Sequence, residues 1–167
     1  MASSIYWISG SIPGRLGIMG KPSAGEWLED ELAAWNKERI VQVVSLLEPD
    51  ETAKLGLEKV GDLCRKYSLQ FVSHPFPERG VPASVEETAV LAQALKTQLQ
   101  NRKNVAIFCR TGMGRSALLA ACVLRCFGHD AKKAFGFIAS ARGFMVPDTP
   151  QQREWVEQFA VTAAGAA

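Results

Sequence analysis

One stretch of the sequence concentrates residues able to do chemistry: Val105-Ala106-Ile107-Phe108-Cys109-Arg110-Thr111-Gly112-Met113-Gly114-Arg115-Ser116. A short apolar run delivers a cysteine, a loop with two glycines follows, and an arginine and a serine open the next segment. Successive backbone N–H groups of such a loop converge on one point, and a helix N-terminus adds partial positive charge. The product is an anion cradle. Arg115 can grip two oxygens of a phosphate. A cation at a helix start is otherwise disfavoured, so an anion partner accounts for it best. The same field favours the thiolate of Cys109, its nucleophilic form. Ser116 can hydrogen-bond that sulfur and ease its departure as a leaving group. Cys109, Arg115 and Ser116 are therefore candidate catalytic residues, and Arg110, Thr111, Gly112, Met113, Gly114 and Arg115 the candidate phosphate-binding set. The competing reading of Cys109 is a buried structural thiol.

Cys109 to Arg115 fits the C-x5-R signature, and with Ser116 behind it the segment resembles that of the cysteine-dependent protein tyrosine phosphatases. Two further motifs resemble the compact dual-specificity type. Phe76-Pro77-Glu78-Arg79-Gly80-Val81-Pro82 looks like the acid loop, and Asp148-Thr149-Pro150-Gln151-Gln152 is similar to the segment bordering the attacking water. The three motifs come in family order, and the resemblance runs over roughly residues 40–159. The resemblance implies a two-step reaction needing neither metal nor cofactor. In it Cys109 takes the phosphoryl group, Arg115 and the loop amides hold its oxygens, and Glu78 is acid and then base. It also implies a water-positioning role for Asp148 or Gln152. The loop carries Arg110 and Met113 where strongly basic loops would hint at inositol phosphates, so the expected substrate is a phosphorylated protein. Two positions depart from the pattern: Phe108 replaces the usual histidine and Glu78 the usual aspartate. Phe108 cannot hydrogen-bond the loop, and the extra methylene of Glu78 changes its reach, so slow turnover is expected. The rival within this fold is a module that binds phosphorylated ligands without turning them over. Two others are a dinucleotide site, since Gly112 to Ala117 fits G-x-G-x-x-A, and a sulfurtransferase-like use of Cys109.

These residues need elements to position them. Asn104–Phe108 reads as a central parallel strand. Arg115 to Phe127 reads as a helix stopped by Gly128. Further strands are expected at residues 5–8, 40–47 and 69–74, and further helices at 26–38, from Pro49 through Leu63, and at 84–100. Two more follow, from Asp130 to about Arg142 and from Thr149 to about Val161. Residues 12–24, dense in glycine and proline, read as loop. Alternation of strand and helix gives an α/β domain with a central, mostly parallel sheet of four or five strands flanked by helices.

The 167 residues suit one domain, with a core over about 5–161 and a frayed tail at 162–167. A net charge of +2 with no basic block argues against nucleic acid. No run approaches the ~20 apolar residues that cross a bilayer, and residues 1–14 lack the pattern of a signal peptide. A cytoplasmic monomer with no membrane or nucleic-acid partner is expected. Cys64, Cys122 and Cys126 fit no disulfide or zinc spacing and read as packing residues, His74 as a structural histidine at a strand end, and Asp130 as a helix cap.

Overall fold

The computed structural model describes residues 3–159. Five strands form one sheet in the order β1-β2-β5-β3-β4: β1 (Tyr6–Ile8), β2 (Leu16–Met19), β3 (Ile40–Ser45), β4 (Gln70–Ser73) and β5 (Asn104–Phe108). Only β1 runs antiparallel, on the edge beside β2. Seven helices connect and cover them: α1 (Leu28–Lys37), α2 (Pro49–Lys54), α3 (Val60–Lys66), α4 (Val85–Gln100), α5 (Arg115–Cys126), α6 (Ala131–Arg142) and α7 (Pro150–Glu157). The expected fold class is thus found, with five strands.

The period-2 alternation of β5 sorts its residues between two cores. Val105, Ile107 and Cys109 belong to the core under α4, α5 and α6, together with Leu16, Ile18, Val44 and Leu46. Ala106 and Phe108 belong to the opposite core, under α1 and α3, with Met19, Val43, Leu32 and Trp35. The C-terminal ends of the three central strands are level, since Met19 and Ser45 both pair with Phe108. That level rim, outside the carboxyl ends of parallel strands, is where sites form in such sheets. No described helix is long and apolar enough to cross a membrane.

Three expectations change. Residues 12–24 are not all loop, because β2 lies within them as a fully buried strand. Gly17 hid it: a Cβ there would meet the Trp7 ring at 3.0 Å, so the glycine makes room for the neighbouring strand's side chain. The helix expected from Pro49 through Leu63 is two helices, α2 and α3, parted at Gly56, whose φ is +68°. The last helix ends at Glu157 rather than near Val161. The tail at 162–167 lies outside the described residues.

Candidate active site

β5 hands Cys109 to a loop seated between the ends of β2 and β3. Both shoulders are bonded, Lys21 N–H to Arg110 O at 3.2 Å and Leu46 N–H to Phe108 O at 3.0 Å. Gly112 has a φ of +74°, and a Cβ on it would lie 2.6 Å from the carbonyl carbon of Met19. Only glycine meets both demands. Its N–H donates to Cys109 Sγ at 3.2 Å, so the loop amide is aimed at the sulfur. Gly114 begins α5 with the Asp148 carboxylate against it, leaving no space for a Cβ. The first turn of α5 carries no acidic residue and no side-chain cap, which leaves its N–H groups for an anion.

Arg115 is 2% exposed and almost wholly held by the protein. Its Nη1 donates to Leu46 O at 3.3 Å, Phe76 O at 3.1 Å and Glu51 Oε2 at 2.7 Å, and its Nη2 to Glu51 Oε1 at 2.8 Å. Nε takes part in none of these bonds. Glu51, in the first turn of α2, is itself fixed by the Glu48 N–H at 2.9 Å. The Arg115 hydrogen bond holds the Glu51 carboxyl below its usual range, although burial pulls the other way. Burial alone would make Arg115 easier to discharge, but the bond from Glu51 and the nearby Cys109 sulfur more than offset it. The sequence reading missed Glu51. A buried arginine requires a counter-charge, yet nothing in the spacing picks one carboxylate from 17 acidic residues.

The acid loop is tied at several points. The Phe76 side chain is buried and its carbonyl accepts from Arg115. Pro77 to Gly80 is a tight turn closed by Gly80 N–H to Pro77 O at 2.8 Å, with Arg79 at a φ of +62°. Gly80 O accepts from Gln152 Nε2 at 2.9 Å. Glu78 at the tip is 49% exposed, with Oε2 3.9 Å from Arg115 Nη2 and 3.7 Å from Arg110 Nε. Arg110 Nε is also 3.7 Å from Glu51 Oε1.

The remaining candidates divide. Asp148 is exposed and lies against the loop through Gly114. Gln152 is fully buried and occupied at both ends, since Oε1 accepts from Thr149 N–H while Nε2 reaches Gly80. The structure thus gives Gln152 the work of tying α7 to the acid loop. The expected bond from Ser116 to Cys109 is not formed, and Ser116 Oγ is buried with no partner among the described residues. Thr111 is exposed and Met113 half-buried. Phe108 points away from the cradle and stacks on Trp35, with ring centroids 6.4 Å apart.

Other chemistry-bearing groups are structural. His74 shares a 2.9 Å hydrogen bond with Thr88 Oγ1, and burial pushes its pKa down. Burial pushes the thiols of Cys64, to about 12, and of Cys122 and Cys126 up. Asp130 caps α6 by accepting from Lys133 N–H at 2.8 Å. The dinucleotide reading fails because α6, not a strand, follows α5.

A family model described as cyclin-dependent kinase inhibitor 3 matches residues 30–133. Cyclin-dependent kinase inhibitor 3 of Sus scrofa is 28% identical over 111 residues, 65% of this chain and 52% of the relative. The chain therefore spans about half the length of the curated relatives it matches. Among solved structures, the kinase associated phosphatase with its catalytic-site cysteine replaced by serine superposes with a TM-score of 0.86. It is 21% identical, over 98% of this chain and 97% of that one. Tk-PTP in its active form gives a TM-score of 0.74 at 24% identity, over 93% of this chain and 95% of that one.

Proposed function

We propose, from the premise that the chain belongs to the cyclin-dependent kinase inhibitor 3 family of the cysteine-dependent protein tyrosine phosphatase superfamily, that it is a phosphatase acting on phosphate monoesters of proteins. One observation carries the reading: a sulfur under loop amides, a clamped buried arginine and a carboxylate 3.9 Å from that arginine share one site. In the first step the Cys109 thiolate attacks phosphorus. The S–P bond forms as the P–O bond to the leaving group breaks, and Glu78 gives its proton to the departing oxygen. Arg115 Nε, the N–H of Gly114 and the first-turn amides of α5 hold the other phosphoryl oxygens. In the second step water attacks phosphorus, Glu78 takes the proton, and the S–P bond breaks. The orphaned Ser116 hydroxyl supplies a hydrogen bond to the thiolate that leaves. A buried hydroxyl without a partner is costly, and this transient partner accounts for it. Asp148, beside Gly114, is the proposed water-positioning group, and Gln152 acts by holding the acid loop.

Tyrosine or dual-specificity action on a phosphorylated protein, by a single domain working as a cytoplasmic monomer, completes the proposal. The test is hydrolysis of para-nitrophenyl phosphate without added metal by wild type, Cys109→Ser, Arg115→Lys and Glu78→Gln. Loss in the first two and weakening in the third is expected. No wild-type turnover between pH 5 and 8, on this ester or on phosphopeptides, would overturn the reading in favour of a phospho-ligand binder.

A further inference from the structure

We infer that Arg110 is the positioning residue for Glu78, a latch that fixes the acid's side chain by holding it to the Glu51–Arg115 pair. The inference rests on the phosphatase reading above. The backbone of the acid loop is already fixed, by Phe76, by the Pro77–Gly80 turn and by Gln152. Its side chain is not. Glu78 is about half exposed, accepts no hydrogen bond among the described residues, and touches only two cations. A free glutamate side chain spreads over several rotamers, and ordering one costs conformational entropy. Glutamate is also longer by a methylene than the aspartate that the family resemblance leads one to expect, so it has one more torsion to hold.

Arg110 is placed to hold it. Its Nε lies 3.7 Å from Glu78 Oε2 and 3.7 Å from Glu51 Oε1, between a mobile-chained carboxylate and a rigid one. Glu51 is locked by Arg115 and by the Glu48 N–H, so it serves as the fixed post. Arg110 belongs to the loop after Cys109, and its backbone is pinned to the segment after β2, where its carbonyl accepts from Lys21 N–H. Exposed ion pairs contribute little to stability. A latch of this kind therefore acts on geometry, with a small effect on folding.

The prediction separates a positioning role from simple phosphate attraction. A general acid matters for poor leaving groups and little for good ones, so the variants are compared on phenyl phosphate and on para-nitrophenyl phosphate. Arg110→Ala should lower kcat/KM, which reports the steps up to S–P bond formation, about tenfold more on phenyl phosphate than on the nitrophenyl ester, part of the 10²–10⁴ available from general acid catalysis. Glu78→Gln should show the same selectivity, and Arg110→Ala/Glu78→Gln should be no worse than Glu78→Gln alone. In a Glu78→Asp background, whose shorter carboxylate no longer reaches the latch, Arg110→Ala should cost little. Unfolding midpoints of every variant check that each is folded, with Arg110→Lys as the charge-retaining partner. Equal rises in KM on both esters, adding fully to Glu78→Gln, would overturn the latch and leave Arg110 a phosphate-attracting cation. If Glu78→Gln itself shows no leaving-group selectivity while Cys109→Ser is dead, the acid assignment falls and the latch falls with it. Should Cys109→Ser retain full turnover, the phosphatase reading is what has failed.

Discussion

The guanidinium of Arg115 is the best-held side chain of the site, and its holder is a residue that no motif names. Two 2.7–2.8 Å bonds to Glu51, with two carbonyl contacts, fix the fork before any phosphate arrives. Preorganised donors cost no reorganisation at the moment of reaction. Removing one partner of a buried pair leaves the other uncompensated, so Glu51→Ala is expected to lose about 3 kcal/mol in urea unfolding and most phosphatase turnover. The pH dependence follows from the direction of the Glu51 shift. Its folded carboxyl titrates below the ordinary value of 4.5, so its contribution is complete above that value and is lost as pH falls through the folded one. Glu51→Gln, which cannot titrate, should show a shallower loss of stability below about pH 4.5 than wild type. A parallel decline in the two proteins would refute the assignment.

At the level of elements, each part of the cradle is set by what lies beside it. The phosphate loop exists because β2 and β3 end level with β5 and bond its shoulders. Gly112→Ala would put a methyl against Met19 in a left-handed backbone. The variant should keep its circular dichroism and lose on the order of 10²-fold in kcat, the effect expected of a displacement near 1 Å. α7 reaches the site through Gln152, which closes a reciprocal cap with Thr149 while holding Gly80. Gln152→Leu removes both functions. About 1 kcal/mol of stability should go, as for a lost helix cap, and kcat on phenyl phosphate should fall more than KM changes. An unaltered kcat would show that the acid loop holds itself.

At the scale of the whole molecule all four thiols are buried, and one of them lies at the site. Cys64, Cys122 and Cys126 are packed into the two cores and their ionisation is suppressed by burial. Cys109, equally buried, sits at the rim of the sheet with the Gly112 N–H on its sulfur. Near pH 7 the folded chain is expected to take up one equivalent of iodoacetamide, at Cys109, and four after unfolding in urea. Inorganic phosphate should slow the first equivalent. Faster labelling at Cys126 than at Cys109 would contradict this placement. The same two-core division explains Phe108. Adjacent strand residues face opposite sides, so the position before the cysteine belongs to the far core, where Phe108 packs on Trp35.

Through the family resemblance the sequence offered Cys109, Arg115 and Glu78 as candidates for one site, and by itself it determined the α/β class, the central strand and the helix behind the cradle. Those features are local: a strand needs only its apolar run, a phosphate loop its glycines, and a cap the residue three positions on. Local signals misled in two places. β2 was hidden because Gly17 answers to Trp7, and one helix became two because Gly56 takes a left-handed turn. Only the tertiary structure decided that Glu51 clamps Arg115, that Gln152 holds the acid loop, and that Arg110 stands between two carboxylates. Each of these is a pairing of charged or polar groups far apart in the chain, and their partners are selected by the packing of elements, which no spacing along the chain encodes.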